Sequence, residues 1–232
     1  MYSNEYSGKC KFNTHTENGI ESSSDRYLLE EDCETIIRNN DSISILNKVK
    51  AKKEESFSNL IGKLWPFITV SNFSSFSKQK KSPDDIFAYV LKDKGWISKK
   101  EITKNMDIVN SWKLYIPRSI GSGNAKVDVV KPIIAKPNSC CSGTYIVCGP
   151  FKNELQCKSV LSYINTKFFH FLLSLKKVSQ DTTAKCYEFI PIQNFNNVIY
   201  NDSMLYKKYN LTEKEIELIE NTVRTDIGTN IN

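Results

Sequence analysis

Three cysteines fall within nine positions, at Cys140, Cys141 and Cys148, and the remaining four are Cys10, Cys33, Cys157 and Cys186. Thiolates of this kind bind zinc, and in a reducing compartment free thiols pack as small apolar groups. A zinc site wants thiolates spaced so that two ligands converge at ~2.3 Å on one ion. Cys140 and Cys141 are adjacent, and adjacent residues of a strand point to opposite faces. The spacing therefore favours packing, and no metal ligand is assigned. Seven is also an odd total, which suits free thiols better than a closed disulfide framework.

Other chemistry is sparse. The two histidines are His15, in a polar segment, and His170, beside Phe168, Phe169 and Phe171. An imidazole among aromatics is more often packed than catalytic. No Ser/His/Asp arrangement can be argued from spacing. A PD-(D/E)xK nuclease needs an acid two positions before a lysine, and no Asp or Glu here has that partner. Gly121-x-Gly123 comes after a strand-like run, but a cofactor loop needs a helix opening at the glycines. The next residues, "KVDVVKP", read as a strand ending at Pro132. The loop is either a flexible turn or a place where small residues approach a phosphate, flanked by Arg118, Lys126 and Lys131. No catalytic or cofactor-binding residue is assigned.

The charge is uneven. Residues 61–190 carry 20 basic and 9 acidic side chains, a balance of +11, against −3 for residues 1–60 and −2 for 191–232. A basic middle suits a polyanion partner, and equally a lysine-rich solvated surface. No run of 18 apolar residues occurs, so no membrane span is expected. The polar N-terminus lacks an apolar signal region. The expectation is a soluble, cytoplasmic protein.

The elements that must position these groups are short. "NG" at Asn18-Gly19 marks a hairpin. Asp41 can cap a helix through "SISILNKVKAKKEESFSNLI". Strands are expected at "FITVSNF", "IFAYVLK", "WKLYIP", "IIAKP", "TYIVCGPF" and "KCYEFIPI". A turn and short helix fit "GWISKKEITKNMDIVNSW", and "NSCC" reads as a turn. Apolar residues from Cys157 to Leu175 recur at helical offsets, predicting one helix of more than five turns. Thr212 and Glu215 form a capping box for a last helix. The fold class is α+β, with short mixed strands and three to four helices.

Four ordered segments then resemble a known family: "WKLYIPRSIGSGN", "IIAKPNSCCSGTYIVCGPF", "SVLSYINTKFFHFLLSLKKVSQDTTAKCYEFIPIQNF" and "LYKKYNLTEKEIELIE". Together with "CETIIRNNDSISILNKV" upstream, they resemble the C-terminal target-recognition region of type II adenine-specific DNA methyltransferases, including fused restriction–modification methylases with a Taq-type specificity domain. The likeness runs from about Gly8 to Val223. In that family a preceding domain binds S-adenosylmethionine through F-x-G-x-G and holds the flipped adenine with (N/D)-P-P-(Y/F). Neither motif occurs here, and the chain has no Pro-Pro dipeptide. The family's aromatic-Thr-Asp-Glu run before "LYKKY" is replaced by "IYNDSM", and the tail diverges after Arg224.

The resemblance implies a target-recognition-domain-like fold and a DNA-specificity module without methyl transfer. On it, residues 1–26 are a hairpin at the junction to a catalytic domain, 27–225 the recognition domain and 226–232 a disordered tail. S-adenosylmethionine, and magnesium for a fused endonuclease, would belong to that other part. The expected partners are double-stranded DNA and a separate catalytic subunit. Candidate phosphate contacts are Arg118, Lys126, Lys131, Lys176 and Lys177. Candidate base or sugar contacts are Ser119, Ser122, Asn124, Asn138, Ser139 and Gln180. Each lysine can equally be a solvated charge, and the Asn138-Ser139 turn can equally be structural. Two other readings stand beside this one: the distal piece of a split methyltransferase-endonuclease, and a non-functional remnant.

Overall fold

Alternation and capping in the sequence translate into fourteen regular elements in the computed structural model, which describes residues 8–16, 19–31, 33–68, 73–121 and 129–223. In chain order they are β1 (Cys10–Thr16), β2 (Gly19–Arg26), α1 (Ser42–Lys50), β3 (Ile86–Val90), β4 (Asp93–Ile97), α2 (Met106–Val109), β5 (Trp112–Pro117), β6 (Ile133–Ala135), β7 (Ser139–Cys141), β8 (Tyr145–Phe151), α3 (Glu154–Ile164), α4 (Lys167–Lys176), α5 (Asp202–Lys208) and α6 (Glu213–Thr222). Single 3-10 turns form at Phe57–Leu60, Lys99–Glu101 and Ala184–Tyr187. The class is α+β.

Two three-stranded sheets carry the centre, ordered β4-β3-β7 and β6-β5-β8. All neighbours are antiparallel except β3 and β7. β5 is buried from Lys113 to Ile116, which is why its sequence reads as a continuous run rather than an alternation. Leu114 and Ile116 join the helical core with Cys148, Val160, Ile164, Phe168 and Leu172. Tyr115 points the other way, into a second core with Ile86, Ala88, Phe67, Cys140, Cys141 and Val147. Burying one such side chain stabilises by about 1.5–3 kcal/mol, so β5 couples both layers.

Several expectations change in three dimensions. The long helix is two, because Thr166 adopts an extended conformation and its hydroxyl accepts the Phe169 N–H, starting α4 afresh. The apolar stripe continues across the break, so periodicity alone missed it. The "NSCC" turn is partly strand: Ser139–Cys141 is β7, pairing with Phe87, Ala88 and Tyr89. "KCYEFIPI" forms a 3-10 turn rather than a strand. Gly95-Trp96-Ile97 belongs to β4 instead of a turn. The first helix stops at Lys50, where the chain turns through Lys53 at φ 52°. Residues 69–72 of the proposed "FITVSNF" strand lie outside the described residues, as does the 226–232 tail. Thr212 and Glu215 do form the capping box.

The hairpin is tied to the segment just after it. Arg26 lies over the Phe12 ring, donates from Nε to Asn40 Oδ1 at 2.9 Å and from Nη2 to the Ile37 carbonyl at 2.5 Å. Asn40 in turn donates to the Phe12 carbonyl. Among the described residues, no helix is long and apolar enough to cross a membrane.

Candidate nucleic-acid interface

β3 buries Ile86 and Ala88, and the intervening Phe87 and Tyr89 are half-buried, Tyr89 packing edge-on against the core residue Tyr115 at 5.2 Å. Across the hairpin, Trp96 opposes Phe87 and the exposed Lys94 opposes Tyr89. Phe87 packs edge-on against Trp96 at 5.2 Å and against Tyr89 at 5.3 Å. Lys80 Nζ sits 5.0 Å above the Trp96 ring. Lys78, Lys81 and Lys92 are exposed around the same hairpin, and Lys78 pairs with Asp93. Aromatic faces bordered by lysines are one means by which proteins stack unpaired bases and track a phosphate backbone.

The hairpin tip leads into a surface cavity of about 450 Å3 lined by Trp65, Leu91, Pro117, Arg118, Ser119, Gly143, Thr144, Tyr145 and Asp181. Its walls are rigid for local reasons. Trp65 has φ 57°, and its ring rests on Gly143 so closely that a Cβ there would lie 1.9 Å from Cζ3. Arg118 comes directly after β5 and donates its N–H to the Thr144 carbonyl at 2.9 Å, while its own carbonyl accepts from Thr182. Its Nη2 reaches Asp181 Oδ2 at 2.8 Å. The Arg118 Nε is buried with no hydrogen-bond partner among the described residues. Burial, then the nearby Tyr145, raises the Tyr89 hydroxyl above its ordinary range. Burial does the same for Tyr145, so both remain donors.

A cavity of about 510 Å3 between α1 and α6 is larger, but Asp41, Glu215 and Glu217 line it. Lys214 also lines it, but the acidic groups outnumber it, so the basic hairpin is the better candidate face for a polyanion.

The sequence-chosen residues divide. Arg118, Ser119 and Gln180 come together: Ser119 bridges Asp181, and the Gln180 carbonyl accepts the Ile120 N–H at 3.0 Å. Lys131 is exposed after Val130. Asn138 is exposed at the opposite end of β7, with φ 60°, and its carbonyl accepts the Phe87 N–H. Ser122, Asn124 and Lys126 lie outside the described residues.

Three choices are corrected. Ser139 is only 2% exposed, and its hydroxyl donates inward to the Lys136 carbonyl. Lys176 is buried, pairs with Glu188 and lies over Phe189. Lys177 is 4% exposed. Position at a helix end predicted exposure for both lysines, but the Glu188–Phe189 segment folds back over the end of α4.

Sequence reasoning missed Phe87, Tyr89, Trp96, Trp65 and the 78–94 lysines. The available signal was "KQKK" at 78–81, then alternating aromatics in "IFAYV" and basic residues in "KDKGW".

Cys33, Cys140, Cys141, Cys148 and Cys157 sit in the cores, while Cys10 and Cys186 are half-buried. Burial pushes the Cys140 thiol up to about 12, with Lys113 opposing it, and the Cys157 thiol also to about 12. Such thiols are inert packing groups near neutral pH. Among the described residues, no group of three or more His, Cys, Asp or Glu is arranged to hold a metal ion. His170 is neutral and buried, with both ring nitrogens engaged.

No family model matches the chain, and no curated protein matches it significantly.

Proposed function

We propose that the chain is a DNA-recognition module of a restriction–modification adenine methyltransferase, acting in the cytoplasm without methyl-transfer chemistry of its own. The supporting observation is the lysine-bordered aromatic face of β3 and β4, running into the Arg118 cavity. Lysines would hold phosphates, and Arg118 and Ser119 in the cavity, with Gln180 next in sequence to the lining Asp181, would meet bases or sugars. The likeness of the four ordered segments to methyltransferase specificity regions supplies the reaction context.

A second feature favours work beside another subunit. Tyr27, Leu28, Leu29 and Ile36 are exposed next to the hairpin, at 55%, 49%, 46% and 39%. Clustered apolar exposure suits a protein contact. On this reading S-adenosylmethionine, and magnesium for cleavage, belong to a catalytic subunit docked there.

The test is binding to random duplex DNA across a salt series, and then selection from a site library. Affinity falling steeply with salt, with enrichment of one short motif, supports the module. Salt-independent weak binding without enrichment rejects it.

A further inference from the structure

We propose that the cavity between Trp65, Tyr145 and Arg118 takes a single unstacked nucleobase. The inference rests on the DNA-binding reading and names what this cavity does within it.

The volume, about 450 Å3, lies in the range of small-ligand sites. Leu91 and Pro117 supply apolar walls, and the two aromatic rings supply stacking faces. Trp65 is held in place before any ligand arrives, because its ring is seated on Gly143. Little ordering cost is left for binding.

The polar groups suit a base edge better than a phosphate. A base edge alternates donors and acceptors. Asp181 offers a carboxylate that accepts from ring or exocyclic N–H groups. Arg118 offers donors, among them a buried Nε with no partner among the described residues. A buried unpaired donor is costly unless something satisfies it. An isolated phosphate would meet the Asp181 carboxylate, which already neutralises the guanidinium at 2.8 Å.

The approach also fits. Leu91 is 66% exposed at the tip of the β3–β4 hairpin, and the next residue is the exposed Lys92. A base entering past Leu91 leaves its phosphate beside that lysine.

Removing a base from a paired duplex costs a few kcal/mol, and a bulged base is already unpaired. The full chain should therefore prefer a duplex with one bulged nucleotide over the fully paired duplex, by roughly tenfold. Trp65→Ala should lower affinity for the bulged duplex about tenfold, and for the paired duplex by less. If Trp65→Ala does not fold, Tyr145→Leu tests the same cavity with the same expectation. Equal affinity of the wild-type chain for both duplexes, with salt-sensitive binding retained, overturns the base pocket and leaves the DNA reading standing. Absence of binding to either duplex overturns both.

Discussion

The backbone N–H of Val130 donates to Nε2 of His170 at 3.1 Å. That bond fixes the tautomer, because Nδ1 must then carry the proton it gives to the Thr166 carbonyl at 3.0 Å. The imidazole so joins the first turn of α4 to the segment leading into β6. It holds the neutral form, and burial, opposed by the Thr166 bond, lowers its pKa to about 4.

The folded His170 therefore resists protonation that the unfolded chain accepts near pH 6.5. The stabilisation is present above that pH and is lost as pH falls towards 4. Between pH 7 and 4.5 this amounts to about 2–3 kcal/mol. Denaturant unfolding across that range should show the decline. In His170→Asn the decline should become shallower, leaving the part due to carboxylates such as Glu215, on top of a lower stability at pH 7.

Glu215 gathers α1 and α6. Its carboxylate accepts from Ser44 Oγ at 2.8 Å, Lys48 Nζ at 2.6 Å and the Thr212 N–H at 2.7 Å. Burial raises its pKa, but these bonds prevail and bring it to about 2. Its stabilisation is present above the ordinary carboxylate range and is lost as pH falls through about 2. Glu215→Gln should cost roughly 1–3 kcal/mol at pH 7, measured by thermal or urea unfolding. The cost should shrink near pH 2.

Lys113 is fully buried, and its ammonium donates to the carbonyls of Val109, Ser111 and Lys136. Burial lowers its pKa to about 8, with nearby thiols opposing. The unfolded lysine keeps its proton to higher pH, so this group adds stability as pH rises from about 8 towards 10.5. Lys113→Met should destabilise by about 1–3 kcal/mol at pH 7, since three carbonyls lose their donor. Urea unfolding at pH 7 and pH 10 should also reveal that the variant lacks the alkaline rise.

Lysines near the hairpin should differ in kind from those at the end of α4. Lys80→Ala, Lys92→Ala and Lys94→Ala should each weaken DNA binding and reduce the salt slope by about 1, while unfolding midpoints stay close to wild type. Lys176→Ala should instead lower stability, because it strands Glu188 and uncovers Phe189. An unchanged salt slope in all three hairpin variants would remove DNA from this face.

Local rules carried much of the reading. β5 runs from Trp112 to Pro117 as the apolar run and terminal proline required. The Thr212–Glu215 capping box started α6 where side-chain chemistry placed it. Cysteine spacing pointed to packing, and Cys140, Cys141, Cys148 and Cys157 are core residues. The site was harder to read. Arg118, Ser119 and Gln180 were chosen because loops after strands and helices tend to be exposed, and Ser119 and Gln180 are exposed and Arg118 half-buried, but the same rule failed for Lys176 and Lys177. Phe87, Tyr89 and Trp96 were passed over as ordinary strand aromatics.

What the amino-acid order determined by itself was local: the Thr212–Glu215 cap, though not the one expected of Asp41, whose side chain makes no capping bond, the apolar run of β5, the basic middle and the α+β class. These depend on neighbours a few residues apart, whose chemistry is visible in one dimension. Which lysines meet solvent, which face of β3 stays half-open, and that Trp65 would settle on Gly143 were decided only by tertiary packing. Each depends on a partner brought from elsewhere along the chain, such as Glu188 onto Lys176 or Asp181 onto Arg118. Burial and pairing are properties of that meeting, and neither residue carries them alone.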